Sequence, residues 1–214
     1  SSCRLNLAFH LWNHGIYDVT RIPRLKDYLS WALNLVTAPY AQDHELLRIG
    51  AGAAPSFPVD KVRRVPPIGD HAGLGARIGE YFALMGMVYR RSDPEFSQKL
   101  FWLYQAGDGC SRHALFYAFA EEADLQPAKA PTLSSRRLEG FGAVLRHNVH
   151  RADEAYCLLK LGPGGYRYHR TEGSIILIEN GLPLIFDGGE AGETWRHTTL
   201  SFGETHMPLA AGHV

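Results

Sequence analysis

The chain has little cysteine, no excess of either charge and no long apolar run, and each shortage removes a class of protein. Its 3 cysteines, Cys3, Cys110 and Cys157, stand far apart with no Cys-x-x-Cys spacing. Neither a disulfide framework nor a thiolate zinc site is indicated, and buried free thiols are expected. Lys+Arg and Asp+Glu balance at 22 each, so no global field draws the chain toward nucleic acid or a membrane surface, and an anionic partner must be met by local clusters. No stretch approaches the roughly 18 apolar residues of a spanning helix, and Ser1 is not followed by a basic-then-apolar leader. What is present is ordinary globular composition, 45% hydrophobic and 21% charged over 214 residues, room for one large domain or two small ones. The chain opens without Met at the approach to a helix and stops in a strand-like stretch. It therefore reads as a segment of a longer protein, for which a missing leader says nothing about secretion.

The first half has helical period. Leu5, Ala8, Phe9 and Trp12 fall on one stripe, and Gly15 follows as a left-handed stop. A second helix is predicted to begin near Pro23, carry Leu25, Leu29, Ala32, Leu33 and Val36, and end before Pro39. Leu74, Ile78, Tyr81, Phe82 and Met85 suggest a third. Asp93 and Pro94 suggest the cap and first position of a fourth, with Phe96, Leu100 and Leu103 behind and Gly107 at its end. Ser111, Leu115 and Phe119 suggest a fifth, running into the acidic Glu121, Glu122 and Asp124.

Residues 39–73 are rich in proline and lack period, as expected of a long loop that either lines a site or wraps the fold. They hold Asp60, Lys61, Arg63 and Arg64, then Pro66-Pro67-Ile68-Gly69-Asp70-His71. Residues 125–137 form a polar linker, after which the period becomes that of strands: 141–146, 155–161, 174–179, 182–186 and 194–202. Asn180-Gly181 is a strong type I′ hairpin signal, because both central residues must take positive φ. The organisation expected is α+β and multidomain: helices over 1–124, a linker at 125–137, and the start of an antiparallel β-sandwich over 138–214.

Chemistry-capable side chains concentrate in the second half: Tyr166, Arg167, Tyr168, His169, Arg170 and Glu172 before one strand, Asp187 after its hairpin partner, then Arg196 and His197. A tight hairpin at Asn180-Gly181 would bring His169 and Asp187 to the same end of the strand pair, with His197 returning on the next strand. Two imidazoles and a carboxylate suit zinc, or with waters calcium. Equally, each of these residues is of a type that satisfies turns by hydrogen bonding, Asp187 before Gly188-Gly189 above all. Arg167, Arg170 and Arg196 are either solvated surface charges or forked donors for carboxylate or sulfate.

Residues 166–203, YRYHRTEGSIILIENGLPLIFDGGEAGETWRHTTLSFG, resemble the start of the β-sandwich domain of heparinase II/III-like polysaccharide lyases. His169 looks like the second His of that family's HxHxD segment, Asp187-Gly188-Gly189 like its Asp-x-Gly, and His197-Thr198-Thr199 like its HNT motif. Pro66 to Asp70 is similar to a toroid loop of some relatives. The resemblance implies an incomplete (α/α) toroid before the sandwich, a periplasmic or secreted setting, and β-elimination on an acidic, uronate-bearing polysaccharide. It further implies a divalent metal, zinc or calcium, at His169, Asp187 and His197. His169 and Tyr168 would serve in catalysis, with Arg167, Arg170, Arg196, Asp70 and His71 against substrate. A toroid Tyr acts as acid in this family, and Tyr17, Tyr40 and Tyr168 are the candidates. Arg167 stands where the family has its first His, and Thr171 where it has the Asp. A binding protein of the same architecture that has lost its acid/base pair is therefore an alternative. A toroid glycoside hydrolase using Asp70 with Glu45 or Glu80 is another.

Overall fold

A computed structural model describes residues 2–40, 61–66, 80–107, 119–161 and 173–185. The chain divides into two compact units, one of Ser1–Asn34 with Arg77–Thr132, the other of Leu35–Ala76 with Leu133–Val214. Among the described residues the architecture is α+β: four α-helices, then five antiparallel strands.

In the first unit α1 spans Ser2–Asn13, α2 Pro23–Leu35, α3 Tyr81–Tyr89 and α4 Pro94–Ala106, with short 3-10 turns at Val19–Arg21 and Glu122–Leu125. The apolar stripe of α1 goes inside at Leu5 and Phe9, and that of α2 at Leu29, Ala32 and Leu33. Part of the stripe expected for the third helix lies on α3. Tyr81, Phe82 and Met85 lie on it, whereas Leu74 and Ile78 fall outside the described residues. It is buried along almost its whole length because it packs against both α1 and α4, as expected of a helix that is apolar all round. A side chain added at Gly86 would come within 3.1 Å of the Phe101 ring, so glycine sets the close approach of α3 and α4, and Ser97 Oγ donates to Gly86 O at 2.7 Å across it. Asp93 caps α4 as expected, its carboxylate accepting from Phe96 N at 3.0 Å with Pro94 at the first helical position. The expected fifth helix is described only from Phe119 onward.

In the second unit β1 (Arg136–Leu138), β2 (Gly142–His147), β3 (Ala155–Lys160), β4 (Ile175–Glu179) and β5 (Leu182–Ile185) form one sheet in sequence order, every pair antiparallel. Strand β1, which overlaps the end of the polar stretch 125–137, has no period-2 signal. Its pairing with β2 alone makes it a strand. Asn180 and Gly181 take φ of 53° and 76°, the positive pair a type I′ turn needs, and Glu179 pairs with Leu182 across it. The expected strand 194–202 lies outside the described residues.

Register sorts the side chains of the sheet. Val144, Leu158 and Ile176 align on one face, and Tyr156 and Ile178 beside them, all buried. The opposite face aligns Leu145, Cys157, Leu177 and Ile185, with Leu159 and Ile175 alongside. Both faces are therefore apolar, where a sheet with one solvated face shows apolar-polar alternation.

Candidate functional site

The residues singled out for chemistry in the second half, Arg167, Tyr168, His169, Arg170, Asp187, Arg196 and His197, lie outside the described residues, as do Asp70 and His71. Among the described residues no group of three or more His, Cys, Asp or Glu side chains is placed to hold a metal ion. Two gatherings of polar side chains there bear on the site, one in each unit.

The first is the exit of α1. Ile16 N donates to Leu11 O at 2.9 Å and Gly15 N to Trp12 O at 2.9 Å, with Gly15 at φ 65°. This is a Schellman close, and it requires a residue without Cβ at the left-handed position. Stopping the helix there leaves Asn13, His14, Ile16 and Tyr17 exposed in succession. Tyr17 is 51% exposed. Just beyond, Asp18 turns back on the chain, accepting from Thr20 N and Thr20 Oγ1. The Thr20 hydroxyl is the first cause holding the Asp18 carboxyl below the usual range. An exposed amide, an imidazole and a phenol follow one another here, a set of hydrogen-bonding groups open to solvent. Sequence reasoning singled out Tyr17 and passed over Asn13 and His14. The available signal was their position immediately before the glycine that must cap the helix.

The second place is interior to the sheet unit. Leu35–Tyr40 and 61–66 run alongside each other, with Thr37 N donating to Arg64 O at 3.0 Å and Tyr40 N to Val62 O at 3.1 Å. Arg63 makes a two-pronged bond to Glu154, Nη1 to Oε1 at 2.9 Å and Nη2 to Oε2 at 2.5 Å, both side chains being at most 4% exposed. Arg63 Nη1 also donates to Thr37 O at 2.8 Å, and Glu154 accepts from His150 N at 2.8 Å. Arg146 donates to Val36 O and lies over the Tyr156 ring at 5.0 Å, while the Tyr156 hydroxyl donates to Leu35 O. Burial lowers the Arg146 guanidinium to about 10. At the far end Lys61 Nζ donates to Asn180 O at 3.2 Å, and its chain lies 2.6 Å from where a Cβ at Gly181 would stand.

This second cluster is scaffold. Residues 61–66 belong to the long proline-rich loop whose role the sequence left open, and they are a structural strap: Arg63 and Arg64 are buried and face no solvent-borne anion. Tyr40, a candidate acid, is fully buried, and burial raises its phenol well above the ordinary value. It is unable to reach a polysaccharide, so the sequence expectation is corrected there.

No family model matches this chain, and no curated protein matches it. Among solved structures it is similar to the crystal structure of a mutant of the heparan sulfate lyase HepC from Pedobacter heparinus. That likeness has 20% sequence identity and a TM-score of 0.38, and covers 59% of this chain. The chain spans 16% of that protein's length. No helix among the described residues is long and apolar enough to cross a membrane.

Proposed function

We propose that the chain is part of a polysaccharide lyase acting on a uronate-bearing polymer by β-elimination. The observation that carries this reading is the motif run 166–203, whose central hairpin, β4 with β5, is folded in the described structure about Asn180-Gly181. His169 and Asp187 flank that hairpin in sequence, and with His197 they offer two imidazoles and a carboxylate, a donor set that fits zinc, or calcium with added waters. An ion held there would supply fixed positive charge. The two-sided apolar sheet is in keeping with one layer of a sandwich, and the helices of the first unit with part of an (α/α) toroid. A periplasmic or secreted location accompanies this reading.

β-Elimination removes a weakly acidic proton next to a carboxylate, so the carboxylate charge must be offset and a proton delivered to the leaving oxygen. Arg167, Arg170 and Arg196 are assigned to the polymer's anionic groups, with Asp70 and His71 as further substrate contacts. With Tyr40 buried, Tyr17 and Tyr168 are the phenols left to protonate the leaving oxygen, and His169, where it holds no metal, is the base that takes the carbon-bound proton. At the α1 exit, Asn13 and His14 beside Tyr17 have the donor chemistry for a carboxylate.

The test is ultraviolet absorbance of an unsaturated uronate when the full protein meets a uronate polymer. Absorbance is expected, and Tyr17→Phe or Tyr168→Phe should reduce it by about 10²–10⁴-fold, the ordinary share of an acid/base group. New reducing ends without absorbance would show hydrolysis instead. Binding without either product would favour the carbohydrate-binding alternative that Arg167, standing in place of His, brings forward.

A further inference from the structure

The last turn of α1 carries a second device. His10 and His14 are four residues apart, His14 N donates to His10 O at 3.0 Å, and the helical geometry therefore extends through both. Their rings lie on the same side, exposed, with centroids 6.3 Å apart and planes inclined by only 19°. Two imidazoles at this spacing on one helix face form a chelating pair for a transition metal. Rotation of two exposed side chains is enough to bring one nitrogen of each to the 2.0–2.1 Å that zinc requires. The pair also stands at the carbonyl end of the helix, where the dipole favours positive charge.

We propose that His10 and His14 form a two-point site for a borderline divalent ion such as Zn²⁺, completed by water, and that occupancy blocks the adjoining Asn13–Tyr17 surface. The ion engages His14, whose side chain is then withdrawn from any sugar carboxylate. His10 has no part in the proposed lyase chemistry, so it separates metal inhibition from turnover. Only this inhibitory arm rests on the lyase reading. The binding arm stands alone.

The experiment is calorimetric titration of Zn²⁺ into the untagged full protein and its His10→Ala, His14→Ala and His197→Ala variants, each checked for native far-UV circular dichroism. An ion should bind at this pair, in addition to any held at His169, Asp187 and His197, with affinity at least about tenfold weaker in either α1 variant, as expected when a chelate loses one of its two ligands, and this binding should persist in His197→Ala. Equal affinity in wild type and His10→Ala overturns the site. Loss confined to His197→Ala overturns it while supporting the other metal site. Where the protein cleaves a uronate polymer, Zn²⁺ should inhibit wild type and spare His10→Ala, whose turnover without zinc is unchanged. Equal inhibition of both overturns the blocking role.

Discussion

The two units handle charge in opposite ways. In the helical unit the interior is apolar, with Phe9, Phe82, Leu84, Met85, Leu100 and Leu103 almost wholly buried, and the ion pairs seen among its described residues keep at least one partner in contact with water. Lys26 with Asp93 and Arg90 with Glu121 and Asp124 are of this kind. In the sheet unit a two-pronged Arg63–Glu154 pair is sealed inside, beside Arg146. Apolar packing tolerates piecemeal change, because each contact is small. A sealed charge pair does not, because removing one partner strands the other in a medium that cannot solvate it.

The largest effect therefore belongs to the sheet unit. Glu154→Ala should destabilise it by about 3–5 kcal/mol, the cost of an uncompensated buried charge. Replacing Arg63 and Glu154 together by Met and Leu should recover most of that loss. Urea unfolding of the four corners of the cycle, read with hydrogen exchange of β3 amides, checks it, and an additive double variant would break the contrast. In the helical unit Leu100→Ala should cost about 2–5 kcal/mol through a cavity of ordinary kind, with exchange rising in α3 and α4.

A smaller effect is expected at the α4 cap. Asp93→Ala should cost about 0.5–2 kcal/mol. The Asp93 carboxyl is held below its usual range, first by the Lys26 hydrogen bond and also by Phe96 N. Its contribution is therefore present above the unfolded pKa of about 3.9 and lost as pH falls through the lower folded value. A stability-pH profile of wild type against Asp93→Asn should diverge only above that acid window. The smallest effect at neutral pH is at Tyr89, whose hydroxyl is buried without a hydrogen-bond partner among the described residues and whose pKa burial raises to about 12. A neutral buried phenol stabilises fully below the unfolded value of about 10, and that share is lost as pH rises through about 12. Tyr89→Phe should be neutral or mildly stabilising at pH 7 and should remove part of the alkaline unfolding, measured by circular dichroism between those limits.

The same contrast marks what was legible. The stripe of α1, the Pro23 start of α2, the Asp93-Pro94 cap and the Asn180-Gly181 turn are all local signals, each deciding its structure within a few residues. Strand β1 and the partners of Arg63 and Arg64 were not legible, because they arise from pairings far apart in sequence. Arg63 and Glu154 are separated by 91 positions, and nothing in either neighbourhood specifies the other. Of the candidate site, Tyr17 was legible as a type of residue, whereas its exposure beside Asn13 and His14 followed only from the way Gly15 closes the helix.

By itself, then, the amino-acid sequence determined the types of the four helices and of strands β2 to β5, the glycine stop after α1 and the hairpin between β4 and β5, since backbone sterics and apolar period act over short range. Only the tertiary structure decided that Arg63 and Arg64 hold the fold together instead of greeting an anion, and that Tyr40 is sealed while Tyr17 is open. Burial is a property of what packs around a residue, and that is settled by chain segments its own neighbours do not encode.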